Sequence, residues 1–131
     1  MNQIPKIKPE ISFTVEDDDT FALLCTRLME MQFDRAILDI CATKKYHKVT
    51  IGYREYAEHW YLLGVLNDFM SRIPFWNDSD FHEFFVQNKI KMGMCIVIYQ
   101  YGTYPGMSID NKELGLLNKF NGDLDFDIYN V

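Results

Sequence analysis

The chain has 131 residues, 48% apolar, 15% aromatic and 24% charged, with a formal net charge of −6 at pH 7. That length and apolar content support a buried core without a metal or disulfide staple and exclude a disordered chain. The acidic balance argues against nucleic acid as a direct ligand, because neutralising phosphates takes clustered Lys and Arg, and no segment approaches the roughly 18 apolar residues of a membrane-spanning helix.

Residues 1–10 carry Lys6, Lys8 and two prolines with no apolar run, which predicts an N-terminal tail and no secretion signal. Residues 11–131 are expected to form one domain. Ile11, Phe13 and Val15 alternate with Ser12 and Thr14 as in a strand with one buried face. Asp17, Asp18 and Asp19 then supply capping oxygens and negative charge at the start of a helix whose apolar stripe runs Phe21, Leu24, Cys25, Leu28, Met31. Ala36–Thr43 and Val49–Tyr53 read as two strands around a polar turn at Lys44–Lys48, with continuation of a helix through Ala36–Ala42 as the alternative.

Tyr56–Ile73 shows a wide helical stripe through Trp60, Leu63, Leu66, Phe69, Met70 and Ile73, stopped by Pro74. Asp80 and Glu83 have the spacing of a capping box for a second helical piece bearing Phe81, Phe84 and Phe85. Met92–Tyr101 is apolar on both alternating faces, which predicts a central strand covered on both sides. After a loop with Gly102, Pro105 and Gly106, Asp110 and Glu113 predict a further cap, and Leu114, Leu117 and Phe120 a further helix, closed by Asn121-Gly122 with the glycine left-handed. The last strand alternates sharply. Leu124, Phe126 and Ile128 take one side, and Asp123, Asp125, Asp127 and Tyr129 the other.

The order predicts an α+β fold: a mostly antiparallel sheet with helices on one face, a ferredoxin-like βαββαβ core and a C-terminal αβ extension. Cys25, Cys41 and Cys95 are odd in number, widely spaced and set among apolar residues, as expected of reduced, buried thiols in a cytoplasmic protein.

The C-terminal third, Met92–Val131, resembles a bacterial family catalogued as domain of unknown function 4279. The resemblance rests on a buried apolar strand, a loop, a short capped helix and the ending Leu124, Asp125, Phe126, Asp127, Ile128, Tyr129. The opening Ile11–Thr20, a strand running into acidic residues, is compatible with it. Some relatives in that family resemble immunity proteins paired with bacterial toxins, so the resemblance implies toxin binding.

Three aspartates at about 6.7 Å intervals on one strand face repel one another unless solvent or a cation intervenes. Asp123, Asp125 and Asp127 thus read as a docking surface for basic residues, as a solvated edge that deters aggregation, or as part of a metal site, the last disfavoured because residues two apart converge poorly. Tyr99, Tyr101, Tyr104, Phe75 and Trp76 lie at element ends, and such aromatics either anchor interfaces or cap a core; loop residues around Trp76 and Tyr104 predict that these two are exposed. His82-Glu83 lacks the second histidine of a zinc helix, since Val86 stands there, and His47 and His59 have no partner nearby in sequence. No phosphate-binding glycine loop and no nucleophile elbow occurs.

The expectation is a non-enzymatic, protein-binding domain without cofactor or metal: a bacterial immunity protein that neutralises a basic toxin domain, with Asp123, Asp125, Asp127, Tyr129, Trp76 and Tyr104 at the interface. The alternative is a structural or regulatory module that forms a homodimer through the sheet face opposite the helices. Neither reading involves nucleic acid or a membrane.

Overall fold

In the computed structural model, which describes residues 3–131, the first strand shows how the whole sheet is organised. Ile7, Ile11 and Phe13 are fully buried while Lys6, Lys8, Glu10 and Ser12 stay half-open, the alternation of a strand with one face in a core. This strand, β1, spans Lys6–Thr14, so the expected tail boundary at residue 10 is corrected: Lys6–Glu10 are built into the sheet. Pro9 is tolerated there for a geometric reason. Its carbonyl points toward Gly52, on the side where pairing to one neighbour covers Glu10–Thr14 and to another Lys6 and Ile7, so no ladder bond is lost between them.

The remaining elements follow as α1 (Asp18–Glu30), β2 (Leu38–Thr43), β3 (Lys48–Tyr53), β4 (Ala57–Glu58), α2 (Leu62–Ser71), α3 (Ser79–Gln87), β5 (Lys91–Gln100), α4 (Asn111–Lys119) and β6 (Asp123–Asn130). The fold is α+β, with four helices and a six-stranded, mostly antiparallel sheet ordered β2-β3-β1-β5-β6, β4 pairing the start of β1. Among the described strand pairs, only β5–β6 is parallel. A parallel neighbour needs a crossover, and α4 supplies it.

Buried sheet residues of one parity, including Ile11, Phe13, Ile51, Met94, Ile96 and Ile98, join Leu24, Leu28, Leu66, Phe69 and Phe81 from the helices in a single cluster. Its centre is aromatic: Phe75 meets Phe13 at 5.5 Å and Phe120 at 5.6 Å edge-on, and stacks on Phe81 at 5.0 Å between ring centroids. No helix among the described residues is long and apolar enough to cross a membrane.

Several local expectations are corrected. Asp17 caps α1 by accepting from the Thr20 amide as predicted, but α3 is capped by Asp78, which accepts from the Phe81 amide at 3.0 Å, and Asp80 falls inside the helix. Tyr56 and Trp60 lie outside α2, because Ala57–Glu58 leave the helical path to pair with β1. Asn121, not Gly122, takes the left-handed conformation after α4, and the Gly122 amide then donates to the Leu117 carbonyl at 2.9 Å. Strand β5 is internal but covered on one face; Gly93, Cys95, Val97 and Tyr99 line the other, half-open face. Cys41 is exposed, and Cys25 and Cys95 are only partly covered, so none of the three thiols is fully buried.

Candidate functional site

The half-open sheet face is assembled by register. Residues directly opposite each other project to the same side, so Asp39, Gly52, Glu10, Cys95 and Asp125 form one row across β2, β3, β1, β5 and β6. Lys8, Val97 and Asp127 form the next, and Lys6, Tyr99 and Tyr129 the one after. Asp123 stands opposite Gly93 and Ser12, and Ser12 Oγ lies 3.3 Å from Thr50 Oγ1. Helices fill the opposite side of the sheet, which leaves these rows facing outward.

At one end of this face three tyrosines form a continuous stripe. Tyr56, from the loop after β3, meets Tyr99 edge-on at 5.3 Å, and Tyr99 stacks on Tyr129 at 5.0 Å with an interplanar angle of 19°. Lys8 Nζ lies 5.4 Å from the Tyr56 ring centre and 3.7 Å from Glu10 Oε1, tying the stripe to the charged rows. Burial, then the neighbouring Tyr99, push the Tyr56 phenol up to about 12. Burial and then Asp127, Glu10 and Asp125 push the Cys95 thiol up; its Sγ–H points to Asp127 Oδ2 at 3.9 Å. A thiol ringed by carboxylates stays protonated and is a poor nucleophile.

Of the residues singled out from sequence, Asp123, Asp125, Asp127 and Tyr129 are brought together on β6, the edge strand, facing outward beside Tyr99. Tyr104 is 64% exposed in the loop before α4. Trp76 is a correction: it is 5% exposed, packs on Phe75 and Phe120, and its indole N–H donates to the Met70 carbonyl at 2.9 Å. A side chain so held does not project from the surface as an interface anchor. On the side of β6 that shares its parity with the buried residues of β5, Phe126 and Ile128 are exposed. Sequence reasoning missed Lys8, Glu10 and Tyr56 as members of the face. The half-polar alternation of residues 6–10 was the available signal for the first two.

A second concavity of about 480 Å³ lies beside α2, lined by Tyr53, Arg54, His59, Val65 and Asp68 among others. Tyr53 Oη donates to Asp68 Oδ2 at 2.5 Å and Arg72 Nε donates to the same oxygen at 2.8 Å. The Arg72 bond, then that of Tyr53, hold the Asp68 carboxyl below its ordinary range, whereas burial and Asp68 raise the Tyr53 phenol. His59 turns its Nδ1 to accept from the Tyr61 amide at 2.9 Å, away from these carboxylates. Among the described residues the one histidine meeting a carboxylate at short range is His47, whose Nε2 lies 2.6 Å from Asp18 Oδ1; it pins the β2–β3 turn to the α1 terminus, with its ring against Phe21. Among the described residues no group of three His, Cys, Asp or Glu side chains converges on a point where a metal ion could sit. No family model, curated protein or solved structure matches the chain.

Proposed function

We propose that this chain is a non-enzymatic, protein-binding domain whose outward sheet face receives a basic protein, and that it acts as a bacterial cytoplasmic immunity protein against a toxin domain. The observation that carries the reading is the joining, on one uncovered face, of the Tyr56-Tyr99-Tyr129 stripe to the Asp123-Asp125-Asp127 row. Tyrosines supply rigid apolar area with a polar tip, the residue type enriched at binding hot spots. The aspartates supply steering, since opposite charge raises association rates by about 10 to 1,000-fold, a gain that matters when a toxin must be captured quickly. In this reading β1, β2, β3 and β5 with α1, α2 and α3 make a ferredoxin-like core, and α4 with β6 is the extension that carries the acidic edge. The resemblance of Met92–Val131 to domain of unknown function 4279 supports the same assignment.

The test is to mix the protein with the toxin domain encoded beside its gene and follow association at low and high salt. A complex is expected, with association slowed at least tenfold in D123N/D125N/D127N and weakened in Y129A. Absence of a complex, or a triple variant that associates as fast as wild type, overturns the reading.

One observation favours self-association as a second reading: the face carries both signs, with Lys6 and Lys8 inward on β1 and the aspartates at the β6 edge, so two copies laid face to face can match charges. Light scattering across concentration separates the two, because a strictly monomeric chain removes this option.

A further inference from the structure

Glu113 stands in the first turn of α4, where sequence spacing predicts a capping role, but its side chain turns inward. It is 1% exposed, and its Oε2 has no hydrogen-bond partner among the described residues. A carboxylate oxygen taken out of water without a donor is costly, so a fold that places one there leaves a strong acceptor unanswered. Glu113 is one of the residues lining a cavity of about 240 Å³ between α2, the α2–α3 loop and α4, whose walls include Met70, Ile73, Pro74 and Trp76, with Asn67 and Asn77 as polar neighbours. At about 30 Å³ per water molecule, that is room for a group of several heavy atoms.

The nearby cations do not serve Glu113. Lys119 Nζ donates to the Trp76 carbonyl at 2.7 Å, and Arg72 is held by Asp68 and Asp34. Lys112 lines the same cavity, and among the described residues no ion pair joins it to Glu113. The combination is a lone buried carboxyl oxygen beside apolar and aromatic walls.

We propose that this cavity is a binding site for an ammonium or guanidinium group carried on a short alkyl chain, with Glu113 pairing the cation and Met70, Ile73 and Trp76 receiving the methylenes. The cation is either a free small amine or the Lys or Arg side chain of a polypeptide. The site is separate from the sheet face and does not depend on its role.

The experiment is an NMR titration of the full chain, following the Trp76 indole N–H, distinguished from that of Trp60 by W60F. The probes are n-butylammonium, methylguanidinium and blocked arginine amide, with n-butanol as the neutral counterpart and sodium chloride as the screening control. Saturable shifts are expected with at least one cation, at least tenfold weaker for n-butanol and at least tenfold weaker in E113Q. Binding of the free amines identifies a small-molecule site, and binding of blocked arginine alone identifies a site for a polypeptide side chain. K112Q should bind at least as well as wild type. The proposal is overturned if no cation gives a saturable shift, if n-butanol binds as well as n-butylammonium in the wild-type protein, or if E113Q binds like wild type.

Discussion

Two aromatic residues on opposite faces of the sheet give stability losses of very different size if only one face is covered. Phe13, at the centre of β1, is fully buried and meets Phe75, Phe81 and Phe85 edge-on at 5.5, 6.0 and 6.2 Å. Truncation to alanine removes that ring and leaves a cavity its neighbours cannot close, a loss of about 3–5 kcal/mol. For a chain of this length about 1 kcal/mol shifts the melting temperature by roughly 3–4 °C, so F13A should melt roughly 10–20 °C lower. Tyr129 is 47% exposed and its principal contact is the stacked Tyr99 ring. Y129A should therefore cost only about 0.5–1.5 kcal/mol, the worth of an aromatic pair. Urea unfolding followed by circular dichroism measures both, with equal m-values as the check that the same surface is exposed. A Y129A loss comparable to that of F13A would mean that the outward face is buried after all; an F13A loss below about 1 kcal/mol would refute the aromatic core.

Other consequences are local. With its phenol pushed up to about 12 against an ordinary 10.0, Tyr56 contributes stability that is present below pH 10 and lost as pH rises toward 12, and absorbance titration at the phenolate band should show late phenols from Tyr53 and Tyr56, of which Y99F brings only that of Tyr56 back toward the ordinary range. The depressed carboxyl of Asp68 works in the other direction: its contribution is present above the ordinary carboxylate value of 3.8 and lost as pH falls below it, so D68N should flatten the acid limb of the stability curve. D78A should destabilise by about 1 kcal/mol through loss of the α3 cap while D80A leaves stability nearly unchanged, and the reverse result would restore Asp80 as the cap.

Local pattern was enough for most elements. Alternation located β1, β2 and β6, β-branched and aromatic content located β3, and helical spacing located α1, α3 and α4, because period two and period 3.6 are imposed by which side meets the core. Reading failed where a residue's role depends on its neighbours across space. Tyr56 and Trp60 fit a helical stripe by spacing, yet pairing of Ala57–Glu58 with β1 removes them from α2. Glu113 has capping spacing but is drawn into the interior, and Trp76 looks like a loop residue but is enclosed by Phe75 and Phe120.

The candidate site divides along the same line. The three aspartates and Tyr129 share a face of β6 whatever β6 pairs with, because successive side chains on a strand alternate, and sequence alone determines that. It also determines the acidic balance and the apolar content that force a core to form. Only the tertiary structure decides that β6 lies parallel to β5 at the edge, that Tyr56 and Tyr99 extend the aspartate row into an aromatic stripe, and that helices leave this face open. Register across non-adjacent strands is set by the packing of the opposite, buried face, and that long-range constraint has no local signature.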